Sequence, residues 1–323
     1  MRALVRSSDN PIITTMDIPP MPPDIVDASS VFNPGAVRWG DRYMLMLRVQ
    51  TRGRRTHLVM AESDNGREFN VWREPVRIPD LDRLGETIYH VYDPRITALD
   101  DEFLVMFAAD TESGCRLGTA RTADFRTFEL VGFGDHPDIR NGVIFPRRFG
   151  GRYLRLDRPN RALGPGEPAS GDEIVLSESS DLLDWRPLGA VMRGRARYWD
   201  ERIGAGPPPV RTRSGWLLIY HGVATHFGSV SIYQAGVALL DLDDPLRLIG
   251  RSRENVLEPR TMYEAVGQVP NVVFPTGLIV DEIDADGFAV ADSTVRVYYG
   301  AADTSVCLAT GTVSGLLTAV EQV

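Results

Sequence analysis

Lysine is absent from this 323-residue chain, so all 35 residues counted as Lys plus Arg are arginine. The absence removes whole mechanisms. A Schiff-base lysine, a pyridoxal-phosphate anchor, a phosphate-loop lysine and a kinase strand lysine each need an amine on a flexible stem, which a planar guanidinium cannot replace. Cysteine is almost missing too. Cys115 and Cys307 are too few for a disulfide scaffold and read as small buried hydrophobes. No HExxH, CxxC or histidine cluster at ligand spacing occurs, so no metal site is expected. No GxSxG marks a nucleophilic serine. The N-terminal 30 residues lack the 7–15-residue apolar stretch of a signal peptide. No run approaches the ~20 apolar residues of a membrane span. A soluble, cytoplasmic protein without a membrane partner is therefore expected. The net charge of -9, with no basic stripe to offset it, argues against a nucleic-acid partner. A homo-oligomer is compatible with all of this, and the sequence does not decide it.

What is present is a repeat. Five segments share a polar or Pro/Gly-marked start, an apolar stretch, a tight turn and a second apolar stretch. They begin with NPGAVRWGDRYMLMLRV at Asn33, DPRITALDDEFLVMFAAD at Asp93, NGVIFPRRFGGRYLRLDRP at Asn141, GAGPPPVRTRSGWLLIYHG at Gly204 and NVVFPTGLIV at Asn271. The fifth resumes after an insertion as STVRVYYGAAD. Turns at Gly40-Asp41, Asp100-Asp101, Gly150-Gly151 and Ser214-Gly215 fall between apolar runs, which is a hairpin signal. A second strand pair follows in several units, with a turn at Asp64, Asp124 or Asp181 and an aromatic soon after. Four strands per unit and five units predict an all-β, five-bladed β-propeller of four-stranded antiparallel blades, spanning 1–323 as a single domain. Residues 1–30, with their prolines at 19–23, read as an extended lead-in.

In a propeller the innermost strands line a central channel, so polar residues at their starts and exits converge on one funnel. Those are Asn33, Arg48, Asp93, Arg95, Arg140, Asn141, Asp157, Arg158, Arg202, His221 and Asp303. Arginines grouped with an asparagine amide suit an oxyanion, because guanidinium forks match phosphate geometry. A carboxylic acid beside them suits general acid work on a leaving oxygen.

At this point the chain resembles glycoside hydrolase family 130, the inverting β-mannoside phosphorylases and related β-mannosidases, which are five-bladed propellers. The similarity runs in order through NPIIT, FNPGAV, YDPRI, RNGVIFPRR, YLRLDRP, RIGAGPPPV, GWLLIYHGV, YQAGVALLDLDDP, PNVVFPTG and YYGAADT. The resemblance implies that Asp93 is the general acid, protonating the glycosidic oxygen through the mannose 3-hydroxyl. It implies phosphate binding by Arg140, Asn141, Arg158 and His221, and mannose binding by Asn33, Arg48, Arg202 and Asp303. Many family members carry lysine where this chain has Arg202. No cofactor is implied; inorganic phosphate is a co-substrate beside a small-molecule sugar.

An inverting hydrolase needs a second carboxylate to activate water. None of the four phosphate positions has become Asp or Glu, which favours phosphorolysis over hydrolysis; a non-catalytic glycan-binding propeller is the further alternative. Linkage and leaving group depend on the loops 51–57, 159–172, 193–201 and 224–232. There Tyr198, Trp199, His226 and Phe227 are either aromatic platforms for the leaving sugar or ordinary loop packing.

Overall fold

Each of the five apolar runs that opens a unit becomes an inner strand in the computed structural model, which describes residues 3–134, 138–160, 171–225 and 231–322. Blade one takes its inner strand in two pieces, Ala28–Val31 and Gly35–Trp39, and continues with Arg42–Thr51, Thr56–Ser63 and Asn70–Pro75. Blade two is Ile88–Leu99, Glu102–Thr111, Gly114–Thr122 and Glu129–Phe133. Blade three is Ile139–Ile144, Tyr153–Pro159, Glu173–Ser179 and Arg186–Arg193. In blade four the inner strand is again broken, into Arg202–Ala205 and Val210–Thr212 around the Pro207–Pro209 run, before Gly215–Thr225, Ser231–Leu240 and Leu248–Ser252. Blade five has Val273–Val280, Thr294–Ala301 and Ser305–Thr312 from its own segment. The inner strands touch in cyclic order and close a ring, a five-bladed β-propeller.

The fourth strand of blade five comes from the other end of the chain. Val5–Arg6 pairs antiparallel with Ser305–Thr312, and Ile13 bridges Val306, so the N-terminal segment is part of a blade where an extended lead-in was expected. The proline stretch is not extended throughout either, since Met21 and Ile25 pair across a tight turn. The C-terminal strand Val320–Gln322 adds outside Leu248–Ser252 of blade four. Both termini thereby cover edges that would otherwise expose unpaired backbone.

Why the outer hairpins form is legible in three copies of one turn. Ser63, Thr122 and Ser179 end the third strands, and Asn65, Asp124 and Asp181 two residues on accept the following backbone N–H groups at 2.8–3.0 Å. These Asx turns reverse the chain with a left-handed residue after the acceptor, Gly66 in blade one and the non-glycines Phe125 and Leu182 in blades two and three. In blade one the acceptor is Asn65, not the expected Asp64. The aromatic four residues later, Phe69, Phe128 or Trp185, packs into the apolar layers between blades. One such layer separates each adjacent pair, with Met46, Ile96 and Val105 between blades one and two, and Phe145, Ile203 and Trp216 between three and four. Burying these flat faces against each other drives the ring to close. The fourth turn falls at Arg213 and Ser214, one residue earlier than read from the sequence, and the strand begins at Gly215.

Candidate active site

The inner strands do not run regularly through the channel. In blade two the register against the neighbouring strand shifts between Tyr92 and Arg95, and in blade three between Arg140 and Val143. Each shift is a β-bulge, which re-aims a side chain out of the sheet. The bulged residues are Asp93, at φ 52°, and Asn141, at φ 55°. Aspartate and asparagine are the non-glycine residues that tolerate this left-handed region best. Asp303 reaches the same channel differently. It sits with Ala302 at φ 50° and 46° in the three-residue connection between Thr294–Ala301 and Ser305–Thr312, where Thr304 N–H donates to the Ala301 carbonyl at 3.0 Å. A type I′ hairpin turn needs left-handed geometry at both positions.

These side chains meet in a cavity of about 350 Å³ at one end of the channel. It is lined by Asn33, Arg48, Asp93, Arg140, Asn141, Arg158, His221 and Asp303, so every residue assigned to the site from the sequence is there except Arg202. Arg202 begins the inner strand of blade four opposite Val223, outside the lining but close enough to act electrostatically on Tyr233, which is part of it. Two further expected members lie beneath it. Arg95 is buried and ties blade two to blade four, with Nε donating to the Gly206 carbonyl at 2.9 Å and Nη2 to that of Ala205 at 3.3 Å. Its Nη1 also holds the Asp93 carbonyl at 3.2 Å, which pins the bulge. Asp157 is consumed inside blade three by Arg155 at 2.9 Å and the Ser177 hydroxyl at 3.1 Å.

On one side of the cavity Arg48 Nη1 bonds Asp93 Oδ1 at 3.2 Å. Its guanidinium is sandwiched between the rings of Phe32 and Tyr92, 4.1 and 4.8 Å from their centroids. Burial pushes the Asp303 carboxyl up to about 6; Arg48 counters this and Asp93 adds to it. Asn33 completes this side, with a buried amide nitrogen that has no hydrogen-bond partner.

The other side belongs to blades three and four. Arg140 and Arg158 are direct cross-strand partners, and among the described residues neither Nε has a hydrogen-bond partner, although Asp138 Oδ1 lies 3.7 Å from that of Arg140. Like charges at directly opposite positions repel, and a bound anion would relieve the repulsion. Burial lowers the pKa of Arg158, and Arg140 beside it lowers it further. His221 is fully buried with both ring nitrogens unpartnered, packed against Phe274 at 4.6 Å and Tyr233 at 6.2 Å. Burial, then Arg158 and Arg95, hold its pKa well below the ordinary histidine value, so it is a neutral imidazole with one donor and one acceptor. Gly204 makes room for this cluster. A Cβ there would come within 2.4 Å of His221 Cε1 and 2.6 Å of Asn141 Oδ1.

Unpartnered buried polar atoms in native proteins are few, and here Asn33, Arg48, Arg140, Asn141, Arg158 and His221 all contribute them to one cavity. The chemistry of the arrangement suits a polyhydroxyl ligand on the Asp93 side and an oxyanion on the arginine side.

The family model of glycoside hydrolase family 130, described as beta-1,4-mannooligosaccharide phosphorylase, matches residues 13–322. The chain belongs to this family. A Beta-1,4-mannooligosaccharide phosphorylase of Ruminococcus albus is 32% identical over 97% of this chain and 89% of its own length. A 4-O-beta-D-mannosyl-D-glucose phosphorylase of Bacteroides fragilis is 29% identical over 90% of this chain and 75% of its own. Among solved structures, the Beta-1,2-Mannobiose phosphorylase from Listeria innocua, in complex with beta-1,2-mannobiose, superposes with a TM-score of 0.83 and 26% identity, over 98% of this chain and 99% of that one.

Sequence reasoning missed part of this family 130 cavity. Tyr92, Tyr233 and Phe274 were present in the motif strings YDPRI, YQAGV and NVVFPTG but carry no charge to draw notice. Asp110 closes the repeat segment that begins at Asp93 and His90 lies outside it, and the two become neighbours only by strand pairing. Of the four loop aromatics, Trp199 is core, stacked on Tyr220 with Nε1 donating to the Arg253 carbonyl at 2.9 Å. Tyr198 lines a separate cavity of about 980 Å³ over blade four. His226 and Phe227 lie outside the described residues.

Proposed function

We propose that this chain is an inverting β-mannoside phosphorylase, transferring a mannosyl group to inorganic phosphate to give α-mannose 1-phosphate and a shortened saccharide. The Arg140–Arg158 pair carries the reading, because a dianion neutralises two neighbouring guanidiniums and a water molecule does not. With phosphate held there by Arg140, Asn141, Arg158 and His221, one of its oxygens attacks the anomeric carbon from the side away from the leaving oxygen. The bond to the leaving sugar breaks. The proton of Asp93, relayed through the mannose 3-hydroxyl as the family resemblance implies, ends on that oxygen. Asp93 is left as a carboxylate beside Arg48. No cofactor is required, since the phosphate brings its own nucleophile and the protein supplies orientation and charge. In bond terms the reaction is glycosyl transfer to phosphate.

A hydrolase would need a base on the phosphate side, about 6.5–9.5 Å from the acid. Among the described residues, the lining carboxylates besides Asp93 are Asp303 and Asp110. Asp303 feels Arg48 and Asp93, the sugar side, and Asp110 is engaged by the Tyr92 hydroxyl. Neither supports a water-activating role opposite the acid. Relatives named for β-1,4, β-1,2 and mannosyl-glucose substrates match at 32%, 29% and 29% identity, so the shared element is the mannosyl donor and not the linkage. Arg202, which the resemblance assigns to mannose binding, lies outside the cavity lining and near its Tyr233. The charged product suits a cytoplasmic enzyme. The test is incubation with β-1,2- and β-1,4-mannobiose and mannosylglucose, with and without phosphate. Phosphate-dependent α-mannose 1-phosphate is expected, and mannose released equally fast without phosphate refutes the reading.

A further inference from the structure

His90 and Asp110 have no part in the roles above, yet both line the cavity. They are cross-strand partners on the two inner strands of blade two, so their side chains leave the sheet on the same face. The strand Ile88–Leu99 passes from one mouth of the channel to the other. His90, Tyr92 and Asp93 line the active cavity, whereas Ile96 and Thr97 line an apolar cavity at the opposite end. At about 3.3 Å per residue, His90 therefore stands roughly 10 Å outward of the general acid. The Tyr92 hydroxyl donates to Asp110 Oδ1 at 3.3 Å and orients that carboxylate at the rim. His90 Nδ1 is buried and has no hydrogen-bond partner among the described residues.

We propose that His90 and Asp110 form the specificity-determining wall that binds hydroxyl groups of the leaving saccharide. The inference rests on the phosphorylase reading of the same cavity. The mannosyl unit must sit inward, where Asp93 serves the glycosidic oxygen, and whatever is released must extend from that oxygen toward the opening, along this wall. A carboxylate accepts two hydroxyl protons, and an imidazole offers a donor or an acceptor beside it, a match for neighbouring hydroxyls of a hexose. The carboxylate also repels phosphate, which keeps the anion on blades three and four.

The experiment is synthesis in the reverse direction, from α-mannose 1-phosphate and an acceptor (mannose, glucose or β-mannobiose), with His90→Ala and Asp110→Asn. Asn at 110 keeps the oxygen that accepts from Tyr92, and thermal melting checks both folds. The acceptor KM should rise about ten- to hundredfold, the loss of a hydrogen bond to a charged or strongly polar group, with the KM for α-mannose 1-phosphate unchanged. An unchanged acceptor KM, or equal rises for both substrates, overturns the inference. Should the wild-type enzyme prove phosphate-independent, the phosphorylase reading fails separately. The wall is then decided by hydrolysis, where the variants should lose activity on β-mannobiose and keep it on 4-nitrophenyl β-mannoside.

Discussion

Arg48 reaches across from blade one to bond Asp93 of blade two at 3.2 Å, while Phe32 and Tyr92 clamp its guanidinium from both faces. The acid is thus aimed by a cation whose own rotamer is locked by aromatic rings. The Arg95 bond to the Asp93 carbonyl holds the backbone half of the same geometry.

Removing the acid should therefore abolish turnover without disturbing the fold. Asp93→Asn keeps a residue that tolerates φ 52°, so the melting temperature should hold. Loss of general acid catalysis predicts a fall of about 10²–10⁴ in kcat on mannobiose. Full activity in this variant would remove Asp93 from the mechanism.

The arginine pair gives a binding prediction with a direction. Arg158→Ala deletes one fork on the anion and relieves the repulsion of Arg140 at once. The KM for phosphate should rise about ten- to hundredfold. Stability in phosphate-free buffer should be kept or improved, because a buried like charge has gone. Titrating phosphate against initial rate, and melting with and without phosphate, checks both halves.

Asp303 predicts a pH dependence. Its native pKa, raised from the ordinary 3.8 to about 6, exceeds that of the unfolded chain. The native state therefore binds more protons between those values, and the stability associated with the protonated carboxyl is present below about pH 4 and lost as pH rises through about 6. The loss is at most about 3 kcal/mol. Asp303→Asn should melt like the wild type at pH 4 and higher than it at pH 7, while weakening sugar binding. Parallel melting curves across that range would rule the assignment out.

A fourth prediction concerns the closure of the ring. Glu264 is fully buried and accepts from Arg6 Nε at 2.7 Å, the Tyr299 hydroxyl at 2.8 Å and the Arg260 N–H at 2.8 Å. Arg6→Ala strands this carboxylate in the interior, which costs about 3–5 kcal/mol. The melting temperature should drop by several degrees or more, and restoring neutrality with a second change, Glu264→Gln, should recover part of the loss.

Much of this was legible in the chain itself. The alternation of apolar runs with Gly-Asp and Asp-Asp turns carries strand and hairpin, since side-chain period and turn chemistry are local properties, and five copies imply a ring. The motif strings also pointed to Asp93, Asn141 and Asp303, residue types suited to the left-handed positions that bulges and tight turns demand. Three things belonged to tertiary structure alone. The pairing of Val5–Arg6 with Ser305–Thr312 joins strands some 300 residues apart, and nothing near Val5 specifies that partner. The demotion of Arg95 and Asp157 to supports, and the place of Arg202 outside the cavity lining, depend on which way each side chain leaves its strand in the folded sheet. The meeting of His90 with Asp110, and of Arg140 with Arg158, is set by cross-strand register. A sequence lists charges one by one, and only packing decides which of them must share a cavity.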